Sequence, residues 1–188
     1  HLDLVGPLPK TARGVEYILT AVDSATKFLV AVPIPNKSAQ EVARAFVEGV
    51  VLRFGCPLVI ITDQGKEFCN SLNEFLQDQL GITHSPTSPY HPAANGQVER
   101  MHSILGNILR AIGDPDQKNW DLMLPYACFA KNTAWTLSIH AVPFYLMYGR
   151  SPRTTLDVLV GKAPTKSIPV QEWWEYLERA RLHAQQSD

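Results

Sequence analysis

No Cys-x-x-Cys pair occurs in this chain. Its three cysteines, Cys56, Cys69 and Cys128, are an odd number at unrelated spacings, and its six histidines are scattered. That pattern argues against a zinc site and against a disulfide framework, and leaves buried or half-buried free thiols as the expectation. No apolar run is long enough to cross a bilayer and no signal peptide is read at the start, so no membrane partner is expected. Neither sign of charge is in excess: 17 Lys+Arg stand against 18 Asp+Glu, a formal net charge of −1. The sequence-wide positive footprint of an autonomous nucleic-acid binder is therefore missing. Internal repeats and low-complexity tracts are missing too. What is present, 188 residues at 45% hydrophobic and 19% charged, is the composition of a globular domain with room for a core. The first residue is His1 rather than Met, so a fragment of a longer chain is expected.

The early chain is β-rich. A strand stub over His1–Val5 is closed by Gly6-Pro7-Leu8-Pro9, which has to leave the sheet. Lys10 to Gly14 reads as a turn. The runs Tyr17–Asp23 and Phe28–Pro33, joined by Ser24-Ala25-Thr26-Lys27, predict an antiparallel hairpin and so a three-stranded opening meander. Asp23, at the hairpin end, reads as a turn residue.

Ser38 followed by Glu41 has the form of a capping box. Ala39, Val42, Ala43, Phe46, Val47, Val50, Val51 and Phe54 then recur at helical spacing until Gly55 and Pro57. Leu58–Thr62 predicts a strand buried on both faces. Strand, helix and buried strand make a βαβ unit with parallel strands. A helix over about 70–80, ended by Gly81, leads to a short strand at Ile82–His84. Farther on, a helix is expected over about 119–135, with Trp120, Leu124, Ala127, Cys128 and Ala130 as core candidates. Ser151–Pro169 reads as an extended connector, and Gln171–Gln186 as a charged terminal helix whose paired Trp173 and Trp174 either dock or await a partner. The class is α/β, a mixed sheet with helices on both faces.

Between these elements lies Ser85–Leu105, SPTSPYHPAANGQVERMHSIL. Pro86, Pro89 and Pro92 bar a helix from its first half. From about Asn95 the spacing of Val98, Met101, Leu105, Ile108 and Leu109 predicts one. Glu99 in its first turns either complements the helix dipole or belongs to a metal-binding carboxylate set. Two more carboxylates are candidates for such a set. Asp63 ends the buried strand, where functional groups of open α/β sheets gather. Asp3 sits between Leu2 and Leu4, so it faces the other side of the sheet from them. If the two strands are neighbours, two carboxylates meet at a sheet end and need a counter-ion.

Asp3 in HLDLVGPLP, Asp63 in TDQGKEF and Glu99 in SPYHPAANGQVER resemble the Asp, Asp, Glu triad of retroviral and gypsy-type retrotransposon integrases. The last two are separated by 35 residues, the spacing of that family. LTAVDSATKF and PFYLMYGRSP extend the resemblance from about His1 to Arg153. It implies an RNase H-like fold with a five-stranded mixed sheet, three antiparallel strands and then parallel ones. Residues 1–150 would form the catalytic core, and 151–188 a connector and terminal helix. It implies polynucleotidyl transfer: 3′-end processing and strand transfer of retroelement DNA ends into target DNA. Two Mg²⁺ or Mn²⁺ ions, roughly 3.5–4 Å apart in such sites, would be held by Asp3 bridging both and by Asp63 and Glu99 on one each.

The same resemblance implies DNA as partner, a homo-oligomer of at least two copies and a nuclear destination after a cytoplasmic phase. A zinc-binding N-terminal module and a DNA- or chromatin-binding C-terminal module would complete the full-length protein. Around the triad, Asn95 and Gln97 are read as DNA contacts or helix caps, and Tyr90 and His91 as DNA-end contacts or loop packing. Arg100 and His102 reach phosphate or form a solvated helix face, and Gln64 and Lys66 are further substrate-contact candidates. Where the family's mobile loop has polar residues after His-Pro, this chain has Ala93-Ala94. Ser138–Val142 also departs from its wording. The alternative reading is a host-adopted, integrase-derived domain that binds nucleic acid or protein without catalysis. A bacterial-type transposase of the same superfamily is a third, less favoured by the GPLP and YHPAANGQVER wording.

Overall fold

A computed structural model of the protein describes residues 1–62, 81–86, 103, 105–107, 110, 118–161 and 169–187. The chain divides into two units, one of residues 1–22 and 29–128, the other of residues 23–28 and 129–188.

The first unit is built on a sheet of β1 (Leu2–Val5), β2 (Tyr17–Val22), β3 (Leu29–Ile34), β4 (Val59–Thr62) and β5 (Thr83–Pro86), in the spatial order β3-β2-β1-β4-β5. β1 and β3 both run antiparallel to β2, and β4 runs parallel to β1 and to β5. The meander and the parallel extension are both as the sequence predicts. β5, an edge of the described sheet, ends on Pro86, which has no N–H to offer a further strand.

Strand alternation sorts the core into two faces. Leu2, Leu19, Ile34, Ile60 and Ile82 bury one face under Val42, Ala45 and Phe46 of α1 (Ala39–Phe46). The opposite face places Ile18 and Leu29, with Val5, Val22 and Ala31 beside them, under Leu105 and Trp120, Leu124 and Ala127 of α3 (Trp120–Thr133). Helices thus cover both faces. Each large apolar side chain buried in this way contributes about 1.5–3 kcal/mol.

The Ser38 hydroxyl accepts the Glu41 N–H at 3.4 Å, one half of a capping box. The other half is missing: the Ser38 N–H goes to Asn36 Oδ1 at 2.9 Å, and the Glu41 carboxylate binds Arg44 at 2.7 Å. The helix expected to be continuous to Phe54 widens into a π-helical segment over Val47–Val51 before resuming as α2 (Leu52–Phe54), and Gly55 at φ 88° ends it. Gly49 lies within the widened stretch. A Cβ there would lie 2.6 Å from Val32 Cγ2, so the bare backbone presses on the sheet where a side chain would not fit.

β4 is less buried than expected. Ile60 and Thr62 are interior, but Val59 is exposed and so is Leu58 just before it. Cys128 is half-buried, within the expected buried or half-buried range, whereas Cys56 is exposed, contrary to it. Ala130, a core candidate, is exposed.

The β1–β2 connection is pinned to the start of α3. The Asp121 carboxylate, 4% exposed, accepts from Arg13 Nε at 2.6 Å and from the Thr11 hydroxyl at 3.3 Å. The Trp120 indole N–H donates to the Pro9 carbonyl at 2.8 Å.

In the second unit, Asp23 is a turn residue as expected, its carboxylate accepting from the Thr26 N–H at 2.8 Å and the Thr26 hydroxyl at 2.7 Å. α4 (Pro143–Tyr148) ends at Gly149 with φ 65°. The expected extended connector contains a short helix, α5 (Thr155–Leu159), closed by a complete Thr154/Asp157 capping box. α6 (Val170–Ser187) packs Leu177 and Ala180 against Ile139, Ala141 and Leu146. The tryptophan pair splits: the Trp173 indole N–H donates to the Leu146 carbonyl at 3.0 Å, while Trp174 is 53% exposed.

Candidate active site

The site grows from the junction of β1 and β4. The two strands are parallel neighbours, in register at Leu2 and Thr62. The residue after Leu2 is Asp3 and the residue after Thr62 is Asp63. Leu2 and Leu4 belong to the α1 side of the sheet, which sends Asp3 to the α3 side, the same face as its cross-strand partner Thr20 and as Val5. The expectation that Asp3 turns away from Leu2 and Leu4 is met.

Asp3 is half-buried, and its surroundings fix it. Its Oδ1 accepts the Leu4 N–H at 2.7 Å, and its main-chain carbonyl accepts the Thr20 hydroxyl at 3.1 Å. An ionised carboxylate offers about four lone-pair sites on its two oxygens, and those hard oxygens suit a divalent cation such as Mg²⁺.

Residues 103, 105–107 and 110 are helical. Leu105, 1% exposed, anchors that stretch in the core cluster on the Asp3 side of the sheet. Arg110 closes on its own helix, its guanidinium donating to the Gly106 carbonyl at 3.0 Å and to Asn107 Oδ1 at 3.1 Å.

Asp63 and Glu99 lie outside the described residues, as do Gln64, Lys66, Tyr90, His91, Asn95, Gln97, Arg100 and His102. Among the described residues no three His, Cys, Asp or Glu side chains cluster as a metal site, and no helix is long and apolar enough to cross a membrane.

A family model for the integrase core domain matches residues 1–92, a span that includes Asp3 and Asp63 and stops short of Glu99. The retrovirus-related Pol polyprotein from transposon 412 of Drosophila melanogaster is 37% identical over 150 residues, 80% of this chain. Residues 1–92 of the chain thus match the integrase core family. The chain spans only 12% of that polyprotein's length.

The catalytic core domain of BIV integrase superposes on this chain with a TM-score of 0.60 at 26% identity, covering 77% of this chain and 90% of that one. The simian T-cell lymphotropic virus intasome, solved in complex with PP2A regulatory subunit B56 gamma, matches in fold with a TM-score of 0.66 at 20% identity. That match covers 89% of this chain and 57% of the other. The fold of this chain is therefore RNase H-like, and its solved neighbours are a retroviral integrase core and an intasome.

Thr20 is the residue of the described site that the sequence reading passes over. In LTAVDSATKF it is one β-branched residue among many. Its signal is visible only once the hairpin register sets it opposite Asp3.

Proposed function

We propose that this chain is the catalytic core of a retroelement integrase, a polynucleotidyl transferase acting on element DNA ends and target DNA. The observation that carries the reading is the parallel pairing of β1 with β4 at Leu2 and Thr62, one residue before each of the two aspartates. In this reading Asp63, which follows Thr62 in the sequence, is the partner of Asp3. Leu105, six positions after Glu99, lies over the Asp3 side of the sheet.

Asp3, Asp63 and Glu99 are the residues that would hold two Mg²⁺ or Mn²⁺ ions. When bound, such ions make the attacking water or DNA 3′-hydroxyl nucleophilic and stabilise the departing oxygen. The chain's own part would be to supply three hard anionic donors, one of them braced by the Leu4 N–H. Gln64, Lys66, Tyr90, His91, Asn95, Gln97, Arg100 and His102 are the candidates for DNA contact. Residues 1–150 act as the catalytic module in this reading, with 151–188 as its extension. The protein works in the nucleus as a homo-oligomer of at least two copies, because two DNA ends are joined in one event.

The test is a strand-transfer assay on a DNA end with Mg²⁺ or Mn²⁺. Asp63→Asn and Glu99→Gln are each expected to abolish product while folding normally. Full activity in either variant removes the triad. A wild type that binds DNA but transfers no strand favours the non-catalytic, adopted-domain reading, for which Ala93-Ala94 is the sequence motive.

A further inference from the structure

We infer that Thr20 is a positioning residue for Asp3, fixing the peptide that braces the Asp3 carboxylate for a divalent cation; the inference rests on the metal reading above. Thr20 lies directly opposite Asp3 in the β1–β2 register. It is 3% exposed, on a face otherwise lined by Val5, Ile18, Val22, Leu29 and Ala31. A hydroxyl in such surroundings is costly unless it is bonded, and valine would satisfy the strand at least as well. The hydroxyl donates to the Asp3 carbonyl, at 3.1 Å.

The backbone pattern shows what that bond does. His1 exchanges two hydrogen bonds with Val22, its ammonium donating to the Val22 carbonyl and its carbonyl accepting the Val22 N–H, each at 2.8 Å. Hydrogen-bonded pairs alternate along an antiparallel ladder, so Asp3 and Thr20 form the next one. The Asp3 carbonyl then receives both the Thr20 N–H and the Thr20 hydroxyl, which use its two lone pairs. The other end of the same planar peptide is the Leu4 N–H, which donates to Asp3 Oδ1 at 2.7 Å. Thr20 hydroxyl, Asp3–Leu4 peptide and Asp3 carboxylate are one relay. Loading the carbonyl polarises the N–H at the far end and holds its direction. The carboxylate rotamer is set from the neighbouring strand.

The test measures Mn²⁺ binding to the purified protein by electron paramagnetic resonance of the free ion, with no DNA and no turnover. Thr20→Val keeps the branched shape and removes the hydroxyl, Thr20→Ser keeps the hydroxyl, and Asp3→Asn removes the ligand. Near-UV circular dichroism checks folding in each. Thr20→Val is expected to weaken Mn²⁺ binding by about tenfold, the lower end of what losing an outer hydrogen bond does to a metal site. Thr20→Ser is expected to restore binding to within about twofold of wild type, and Asp3→Asn to lose it. Wild-type affinity in Thr20→Val alongside loss in Asp3→Asn overturns the inference and leaves the metal reading standing. Wild-type affinity in Asp3→Asn overturns both. If Thr20→Val does not fold, Thr20→Cys, a far weaker donor, takes its place with the same expected loss.

Discussion

Cys128 and Cys56 belong to one sequence class and behave as two chemical species. Burial pushes the Cys128 thiol up to about 11, against smaller opposing effects of a hydrogen bond with the Ala31 backbone and the charge of Arg53. Cys56 is exposed. At pH 8 a maleimide is expected to label Cys56 readily and Cys128 only on unfolding, as mass spectrometry of the labelled peptides will show. The linkage sign follows from the raised value. The folded thiol keeps its proton longer than the unfolded one, so its contribution is fully present below about pH 8.5 and is lost as pH rises toward 11. A rise of that size corresponds to about 2–3 kcal/mol, so melts between pH 8.5 and 11 should fall more steeply in wild type than in Cys128→Ala. An equal slope would show that Cys128 ionises freely. The sequence could count these thiols but not sort them, because their difference is made by residues distant in the chain. Asp3 was legible for the opposite reason: strand alternation from Leu2 and Leu4 settles its side locally. Thr20 was not, since only the hairpin register relates it to Asp3.

At the scale of elements, the errors of sequence reading fall where a local signal is short or where packing overrides periodicity. The spacing from Ala39 to Phe54 fits a continuous helix, yet the chain widens at Val47–Val51. Gly49 lies within that stretch and has no reason to sit among valines unless the backbone must come close to something. Gly49→Ala forces a methyl group to within 2.6 Å of Val32 Cγ2. It is expected to cost about 1–3 kcal/mol, the usual penalty of overpacking, despite alanine's better helix propensity. A urea titration measures this, and a Gly49→Ala variant as stable as wild type would show that the wide turn relaxes without loss. α5 escaped notice because five residues are too few for periodicity, and its capping box uses Asp157 where Glu or Gln is usual. The strands fared better. Their order follows from a tight hairpin and a βαβ crossover, both readable from punctuation and run length. The burial of β4 did not follow, since an apolar run does not reveal which of its faces is covered.

For the whole molecule, the hydrophobic framework and the proposed chemistry are made by different residues. Leu2, Ile18, Leu19, Phe46, Leu105 and Leu124 hold the first unit together, and none is a proposed metal ligand. Asp63→Asn and Glu99→Gln are therefore expected to melt within a few degrees of wild type while losing strand transfer. A large drop in melting temperature would mean that the carboxylates serve the fold instead. The order of the sheet and the register at Leu2 and Thr62 carry the functional reading farther than composition does. The net charge of −1 would by itself have pointed away from DNA, because a bulk charge says nothing about how charges are distributed.

The 2.7 Å bond from the Leu4 N–H to the Asp3 carboxylate has a spectroscopic consequence. That amide proton is a built-in indicator of the carboxylate's state. A cation that draws electron density from Asp3 weakens the acceptor, and the Leu4 amide resonance should move upfield in a ¹⁵N-labelled sample titrated with diamagnetic Mg²⁺. The Leu19 amide, across the hairpin from Leu4 but not bonded to that carboxylate, serves as the internal reference. A Leu4 signal that stays fixed at saturating Mg²⁺ would mean that Asp3 is not a ligand. One that moves yields the occupancy of the site directly, with no DNA in the tube.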